Sequence, residues 1–419
     1  MGLRLQLLLV GIALLAVSST CVRIGFSDEH QTSTKLQTSA AGAVGARQEP
    51  ANAIRELDSD DQDDAKGMDS EGMTDVSFLL LGARVRGDTP EGDDAFCHKN
   101  RYRKRTLKVV KEMPFVGLFP ELQRTRRFEG SGITYAKGSY WVVFDSLRSL
   151  GQIDLRFSFR GPENHLVGPV GDESQFEGIS YDDESDTFFV LRESFEHDEH
   201  GLVPLTEQLK LSEDGNTYTV LEKCIVRFQL QDVNKGFESL YVFTRDGKRQ
   251  MLGMCESNHC KTILGPDPPG LQRGHGRLVW AEYQGADPTD EHDECRWNVK
   301  RVIKLPEDAF LLDYSAINFR GMFGEDVAVT SQEDAAVWIG KFDWTAMEFV
   351  HAEGADTSGP YGQIYHFPRT ADCWKMYCNV EGVAWLDAER LVFASDKSKR
   401  IQDHRCMDRD QSVHIMALP

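Results

Sequence analysis

Apart from the first twenty or so residues, the sequence lacks any apolar run that approaches the length of a membrane span. Basic residues are also few, since 47 Lys and Arg stand against 67 Asp and Glu, which gives a formal net charge of -20. An acidic surface repels phosphate backbones and anionic bilayers. We therefore expect no nucleic-acid partner and no membrane span in the mature chain, and a cation or a neutral or basic partner fits better.

Three common catalytic motifs are missing as well. The sequence contains no Gly-x-Ser-x-Gly elbow, no phosphate-binding glycine-rich loop and no dinucleotide-binding fingerprint. Their absence argues against serine-esterase elbow, kinase and Rossmann-type chemistry.

The N-terminus has the composition of a secretory signal peptide. Arg4 precedes the apolar run Leu5–Val17, and the small residues Ser18, Ser19 and Thr20 follow it. This order predicts a signal peptide over residues 1–21 and a protein that is secreted, or held in the lumen of the secretory pathway. An uncleaved anchor or a buried helix is the alternative.

Residues 22–96 form a low-complexity tract that is rich in Ala, Ser, Thr, Gly, Gln and Asp. The stretch Glu56–Asp75 alone contains nine acidic residues. Such a composition buries too little apolar surface to order itself, so we predict a mostly disordered tract that precedes a folded domain at residues 97–419.

Cysteine usage fits an oxidising compartment. Removal of the signal peptide takes Cys21 away and leaves eight of the nine cysteines, an even number that suits disulfide bonds. Their connectivity does not follow from the sequence. Two pairs, Cys255/Cys260 and Cys373/Cys378, have the same spacing, which leaves a zinc site as the alternative to disulfides.

An internal repeat begins near residue 128. Each copy opens with an aromatic or apolar residue, then usually Glu, a small residue and an apolar run. The five copies are Phe128–Tyr135, Phe176–Tyr181, Phe237–Tyr241, Tyr314–Phe319 and Val380–Trp385. A second β-rich run follows each copy and ends at or near an acid, at Asp145, Glu193, Glu256, Glu333 and Asp396. In the fourth copy Ser315 replaces the first Glu, and Gln332 and Glu333 share the second position. The two acids of a copy lie 15 to 18 residues apart, which predicts a hairpin of constant register.

Repeated units of three or four strands predict an all-β protein with a β-propeller fold. The length of the repeat region predicts six blades, and Gly276–Ala281 would belong to a sixth blade whose motif has eroded. The final strand, Ser412–Leu418, is expected to close the ring against the segment Phe115–Phe119. A β-sandwich is the other fold considered, but it does not explain the repeat.

The paired signature over residues 113–419 resembles the SdiA-regulated and esterase-like-phytase propellers. The resemblance implies that the first and second acids of each copy face a central channel that holds calcium. The matching acids here are Glu129, Glu177, Glu238, Glu381, Asp145, Glu193, Glu256 and Asp396. Acids repeated at one strand position converge on a propeller axis, where a hard divalent cation, Ca²⁺ or Mg²⁺ rather than Zn²⁺, would offset their repulsion. The alternative is that the repeated Glu only caps a turn in each blade.

Two departures weaken a phytase assignment. The Asp-Asp-Pro-Ala type of start is absent, and only Arg192, Lys397 and Lys399 lie beside the acids as candidate phosphate ligands. Similar strand starts also occur in gluconolactonase-like and paraoxonase-like propellers, in which calcium polarises an ester or lactone.

The sequence therefore predicts a secreted calcium-binding propeller that hydrolyses a phosphate ester, an ester or a lactone. Arg192 and Lys397 would bind the anionic part of a small-molecule substrate. The rival hypothesis is a non-catalytic extracellular scaffold that binds a protein or a glycan, because a fold alone does not decide function.

Overall fold

A computed structural model describes residues 105–119, 128–169, 173–231, 236–256, 276–286, 289, 294–352, 359–399 and 402–419. The predicted signal peptide, the acidic tract and the start of the predicted domain lie outside these residues, so their boundaries stay predictions. In the part of the chain that is described, no helix has the length and apolar character needed to cross a membrane.

The first two repeat units each form a blade of four antiparallel strands. The strands of blade 1 are β2 (Gly130–Ala136), β3 (Ser139–Phe144), β4 (Leu147–Ile153) and β5 (His165–Val167). Those of blade 2 are β6 (Phe176–Asp182), β7 (Thr187–His197), β8 (Gly201–Leu211) and β9 (Tyr218–Val226). Strand β3 is buried along its whole length, as expected for an aromatic and β-branched segment that packs on both faces.

Blades 3 and 4 follow the same plan. Blade 3 consists of β10 (Phe237–Arg245), β11 (Lys248–Cys255), β12 (Arg277–Gln284) and β13 (Arg296–Lys304). A 3-10 helix at Glu307–Ala309 leads to blade 4, which consists of β14 (Ala316–Phe319), β15 (Asp326–Ser331), β16 (Ala336–Asp343), β17 (Glu348–Val350) and β18 (Gly362–His366). Strands β17 and β18 pair with different parts of β16, so together they provide the outer strand.

Blade 5 closes the ring with strands from both ends of the described chain. It contains β19 (Val380–Trp385), β20 (Arg390–Ser395), β21 (Ser412–Ala417) and, at its outer edge, β1 (Lys108–Pro114). The predicted ring closure by the last strand is therefore confirmed, but its partner is β1. The segment that we expected to be the partner forms a helical turn, α1 (Phe115–Leu118), because Phe115, Phe119 and Phe128 pack together on Phe144. A second short helix, α2 (His404–Met407), lies between β20 and β21.

The predicted all-β propeller is confirmed, and the strand topology sets the number of blades among the described residues at five. The first strands of the five blades, β2, β6, β10, β14 and β19, contact one another in a closed circle. The segment Gly276–Ala281, which we assigned to a sixth blade, lies mainly in β12 and pairs with β11 and β13 of blade 3. The large sequence distance between the third and fourth copies thus comes from the segment 257–275 and from long strands in blade 3. The prediction of six blades was wrong.

The hydrophobic core is divided among the interfaces between neighbouring blades. One cluster, for example, combines Leu252 and Leu278 of blade 3 with Val329 and Trp338 of blade 4, all fully buried. The remaining four interfaces have equivalent clusters. Each blade is therefore stabilised by the blades on its two sides, as expected for a repeat protein.

Disulfide bonds reinforce the junction between blades 2 and 3 and the closing blade. A disulfide joins Cys224 to Cys295 where β9 and β13 pair in parallel, so blades 2 and 3 share one eight-stranded sheet. A second disulfide joins Cys378 to Cys406 next to blade 5, and Cys255 and Cys373 are also disulfide-bonded. The described cysteines are thus engaged in disulfides, and the alternative of a zinc site at the two equally spaced pairs is wrong.

A buried polar chain seals the closing blade. Glu112 of β1 lies opposite His414 of β21, and the His414 Nε2 atom lies 2.8 Å from the Ser395 hydroxyl of β20. The Tyr377 hydroxyl donates to Glu112 over 2.6 Å. Contact with His414 is the main cause that lowers the pKa of Glu112 to about 2, so this carboxylate is ionised over the physiological range.

Glycine follows the repeated acid in blades 2 and 5, where neighbouring first strands approach backbone to backbone. A Cβ atom on Gly178 would lie 3.0 Å from the Leu240 nitrogen and 3.0 Å from the Ser239 Cα atom of blade 3. A Cβ on Gly382 would similarly lie 3.1 Å from the Ile133 nitrogen of blade 1. Backbone atoms cannot move aside as a flexible side chain can, so these positions exclude larger residues.

We predict that Gly178→Ala lowers the free energy of unfolding by about 1–3 kcal/mol, because the added methyl group overpacks the contact between two blades. The matched control is Gly285→Ala, whose new Cβ would meet no atom closer than 3.4 Å. Urea-induced unfolding of the two variants and the wild type measures the difference. An equal effect of the two substitutions would contradict the proposed close approach.

Candidate metal centre

The repeated acids occupy bulges at the start of the first strand of a blade. The pairing register shifts between Phe176 and Gly178, between Phe237 and Ser239, and between Val380 and Gly382. The residues skipped at these shifts are Glu177, Glu238 and Glu381. A bulge leaves one residue outside the ladder and turns its side chain away from the sheet face. The same local geometry therefore presents a carboxylate in blades 2, 3 and 5.

Serine takes this position in the remaining two blades. The register shift of β2 lies between Gly130 and Gly132, so the residue skipped there is Ser131. In blade 4, Ser315 directly precedes β14, and its hydroxyl donates to the Val380 carbonyl of blade 5 over 3.2 Å. Ser131 contacts Glu177 through a hydrogen bond that favours the ionised carboxylate. We call these five positions the inner ring, and its members are Ser131, Glu177, Glu238, Ser315 and Glu381.

A second set of side chains lies where the second strand of each blade ends. The backbone N–H groups of Asp145, Glu256 and Asp396 donate to the carbonyls two residues before the corresponding inner-ring position, over 2.8 to 3.1 Å. Glu193 is equivalent in blade 2, and the register of blade 4 puts Gln332 at the same place. We call this set the outer ring, and its members are Asp145, Glu193, Glu256, Gln332 and Asp396.

The two rings meet in space. Carboxylate oxygens of Glu193, Glu238 and Glu256 all lie within 4.8 Å of one another. Glu193 also accepts a hydrogen bond of 2.8 Å from the Gly236 nitrogen, which fixes it against blade 3. Three acids from two blades are thus close enough to share one cation, since Ca²⁺ accepts several oxygen ligands at 2.3–2.6 Å.

Burial and like charges disfavour ionisation of the inner-ring acids. Burial, reinforced by neighbours such as Asp145 and Glu193, raises the pKa of Glu177 well above its usual value. Burial is also the main cause of the large upward shifts in the pKa values of Glu238 and Glu381. All three side chains nevertheless keep some solvent-accessible surface, as groups that line a narrow channel would. At neutral pH the channel therefore tends to hold protons or to bind a cation.

Asp396 supplies an independent sign that the channel lacks a partner. Its Oδ1 atom is buried and has no hydrogen-bond partner among the described residues. Burial raises the pKa of Asp396 to about 7, although the Lys397 backbone N–H acts in the opposite direction. A buried carboxylate oxygen without a donor is unfavourable, and a hard cation would satisfy it. The donor set therefore fits Ca²⁺ or Mg²⁺ better than a thiolate- or imidazole-preferring metal.

The structure places Glu129 out of register with the acids that we predicted as equivalent, although it lies close enough to Asp145 and Asp396 to add to the effect of burial in raising their pKa values. Glu129 lies two residues before the inner-ring position of its blade, and its carboxylate is 3.9 Å from the Lys397 ammonium group. The Glu-Gly pair at 129–130 thus imitates the repeat without being in register with it. The pair Gly-Ile aligns the copies of the repeat correctly, because Gly132-Ile133 and Gly178-Ile179 are structurally equivalent. An alignment of the first two copies on this pair would have identified Ser131 as the counterpart of Glu177.

The predicted substrate ligands lie beside the rings. Arg192 of β7 lies opposite Phe176 at the last point where β7 pairs with β6. Its guanidinium donates to the Gln175 side chain. Lys397 directly follows Asp396, and the exposed Lys399 favours ionisation of Glu381. Positive side chains therefore flank the acids on blades 2 and 5, at the end of the channel where both rings lie.

No family model and no curated protein match the chain. Several solved propeller structures are similar over most of its length. The PQQ-bound aldose sugar dehydrogenase from Streptomyces coelicolor is 11% identical with a TM-score of 0.40, and covers 75% of this chain and 98% of its own. Regucalcin from Agrobacterium tumefaciens, described as a calcium-binding protein, is 12% identical with a TM-score of 0.37, and covers 75% and 94%. Streptogramin B lyase is 11% identical with a TM-score of 0.33, and covers 75% and 99%. At these scores the propeller assignment rests on the strand topology of the chain itself.

We predict that metal-free protein loses stability as the pH rises from 6.5 to 8.5. The raised pKa values of the inner-ring acids mean that the folded state keeps protons which the unfolded chain has released. Each retained proton lowers the free energy of unfolding by about 1.4 kcal/mol per pH unit. Burial lowers the pKa values of His366 and His414, so each adds a smaller slope of opposite sign near pH 6.5, where an unfolded histidine is still about half protonated, and almost none above about pH 7.5.

Thermal unfolding in buffer freed of metal by a chelating resin measures this slope. Glu238→Gln is expected to reduce it, because the neutral amide removes one retained proton. Glu307→Gln is the control, since the Glu307 side chain is 86% exposed. A midpoint that is constant or rises between pH 6.5 and 8.5 in the wild type would contradict the assignment of protonated channel acids.

Proposed function

We propose that the protein is a secreted, calcium-dependent hydrolase that acts on a phosphate ester. The observation that supports it most directly is the inner ring, in which three carboxyl groups with strongly raised pKa values meet in one channel. So many like charges are retained only where protons or a cation offset them. A bound cation at such a position is a common basis for hydrolytic chemistry.

Glu193, Glu238 and Glu256, whose carboxylate oxygens lie within 4.8 Å of one another, would hold the ion. Glu177, Glu381 and the hydroxyls of Ser131 and Ser315 add further oxygen donors around the inner ring. When bound, Ca²⁺ would act as a Lewis acid on a substrate oxygen. The outer ring also supplies Asp145 and Asp396, so the channel holds more carboxylates than one divalent ion neutralises. A carboxylate that does not bind the metal is then available to accept a proton from the attacking water.

A phosphate group fits this end of the channel better than an uncharged ester or lactone. Arg192, Lys397 and Lys399 flank the acids and would bind phosphate oxygens that the carboxylates alone would repel.

Secretion is part of the proposal. The disulfides Cys224–Cys295 and Cys378–Cys406 are typical of proteins that fold in an oxidising compartment. The predicted signal peptide agrees with this location. Extracellular calcium is also abundant enough to occupy a site of modest affinity, in the range reported for extracellular modules.

We predict that the purified protein hydrolyses phosphate esters only when calcium is present. A panel of aryl phosphates, sugar phosphates, inositol phosphates and nucleotides would be assayed with resin-treated protein before and after Ca²⁺ addition. Glu177→Gln and Glu381→Gln are expected to lower kcat/KM by about a hundredfold, because each removes a charged oxygen from the centre. Glu307→Gln should leave kcat/KM unchanged.

Calcium should also raise the unfolding midpoint, since a ligand at a hundred times its dissociation constant adds about 2.7 kcal/mol. Hydrolysis that persists in metal-free protein would contradict the proposed role of the acids. Calcium binding without hydrolysis of phosphate esters, carboxyl esters or lactones would instead favour the non-catalytic scaffold.

A further inference from the structure

A cleft of about 670 Å³ lies beside the channel on blade 2. Strands β7 and β8 extend beyond the other strands of the blade and form one wall, and the ends of β9 and β13 form the other. Arg192 lines this cleft and also contacts Gln175, two residues before the inner-ring Glu177. The cleft therefore begins where the channel acids end.

Three guanidinium groups line the cleft from three different segments of the chain. Arg192 comes from β7, Arg227 directly follows β9, and Arg296 begins β13 of the neighbouring blade. The Arg192 Nε atom is buried and has no hydrogen-bond partner. The Arg227 side chain is exposed and forms no hydrogen bond or ion pair with another described residue. Neither Arg192 nor Arg227 is thus neutralised by a carboxylate of the described chain.

The acids of the cleft do not cancel this charge at its floor. Glu294 is engaged by His197, whose Nε2 atom lies 3.0 Å from the carboxylate. Glu196, Asp198 and Glu199 are exposed at the end of the β7–β8 hairpin. Water screens these solvated carboxylates, whereas Arg192 and Arg296 are partly buried and act in a medium of lower effective dielectric constant. The partly buried guanidinium groups of Arg192 and Arg296 therefore lie in the inner part of the cleft, and its exposed acids lie toward solvent.

A disulfide fixes the distance between the two walls. The bond between Cys224 and Cys295 joins the end of β9 to the start of β13. Both neighbours of each cysteine line the cleft, and they are Lys223, Ile225, Glu294 and Arg296. The basic groups are thus presented by a cross-linked sheet and not by free loops, so little ordering is needed when a ligand binds.

We infer that this cleft binds a second anionic group of the substrate, a phosphate or carboxylate on the leaving group, through Arg227 and Arg296. The inference rests on the proposed function in one respect, because it takes the bound anion to be part of the ester that is hydrolysed. Planar guanidinium groups bind phosphate and carboxylate oxygens in pairs, which suits the fork presented from both walls. Arg192, between the two regions, would contact both the scissile phosphate and the distal anion.

Binding of inorganic phosphate to the full chain tests the cleft without any need for catalysis. Calcium is removed with a chelating resin, because EDTA is itself a polyanion that would compete for the site. We expect calorimetry to show phosphate binding that Arg227→Ala weakens by about tenfold, since one charge-assisted contact is lost. Arg156→Ala is the control, because the Arg156 side chain is 76% exposed and lies outside the cleft. Equal affinity in the wild type and Arg227→Ala would overturn the inference.

The link to the substrate is tested with a matched pair of esters, phenyl phosphate and 4-carboxyphenyl phosphate. The wild type should have the lower KM for the carboxylated ester, and Arg227→Ala should abolish that difference while kcat stays the same. Arg296→Lys, which keeps the charge but loses the planar fork, should reduce the preference in part. Phosphate binding at Arg227 without hydrolysis of either ester would refute the proposed function and leave the anion site standing. Hydrolysis with the same KM for both esters in the wild type would refute the second-anion site alone.

Discussion

The close approach of neighbouring first strands is the constraint on which the rest of the molecule depends. Five strands converge on one axis, and at Gly178 and Gly382 there is no room for a Cβ atom between adjacent blades. Directly before each of these glycines the chain forms a bulge. The bulge resolves the crowding by moving one residue out of the ladder. The side chain of that residue then has only the channel to enter, so the geometry that closes the ring also gathers the inner-ring residues.

Bringing several carboxyl groups together is electrostatically unfavourable, and neutral residues at some of the ring positions reduce this repulsion. Serine in blades 1 and 4, and Gln332 in the outer ring, keep the number of acids below the ten positions that the two rings provide. The remaining carboxyl groups still shift one another's pKa upward because water is scarce around them. An acid kept for structural reasons alone could be replaced by glutamine without this penalty. Their retention at the least favourable place in the fold is the physical argument for a bound cation.

The repeat was visible in the sequence because it records local geometry. A typical copy has an aromatic residue where the strand starts, an acid at the bulge, glycine at the close approach of two strands and a β-branched residue in the core. The propeller and the residues Glu177, Glu238 and Glu381 could therefore be predicted. The number of blades could not, because strand β12 has the same composition whether it begins a new blade or extends blade 3. Glu129 was misplaced because an acid before a glycine occurs by chance two residues early. The Arg-lined cleft was invisible, since Arg192, Arg227 and Arg296 meet only through pairing between two blades.

The channel can be completed only after the last strand of the closing blade has been synthesised. Strand β1 emerges from the ribosome first and its partner β21 last, so blade 5 forms only when synthesis is complete. Until then the ring lacks its closing strand, and we expect the acids that face the channel to be more open to water than in the closed ring. Closure removes their water in a single late step, at which they must take up either protons or metal. A cation present at that step would offset the charge of these acids as their water leaves, so metal binding and ring closure would be coupled.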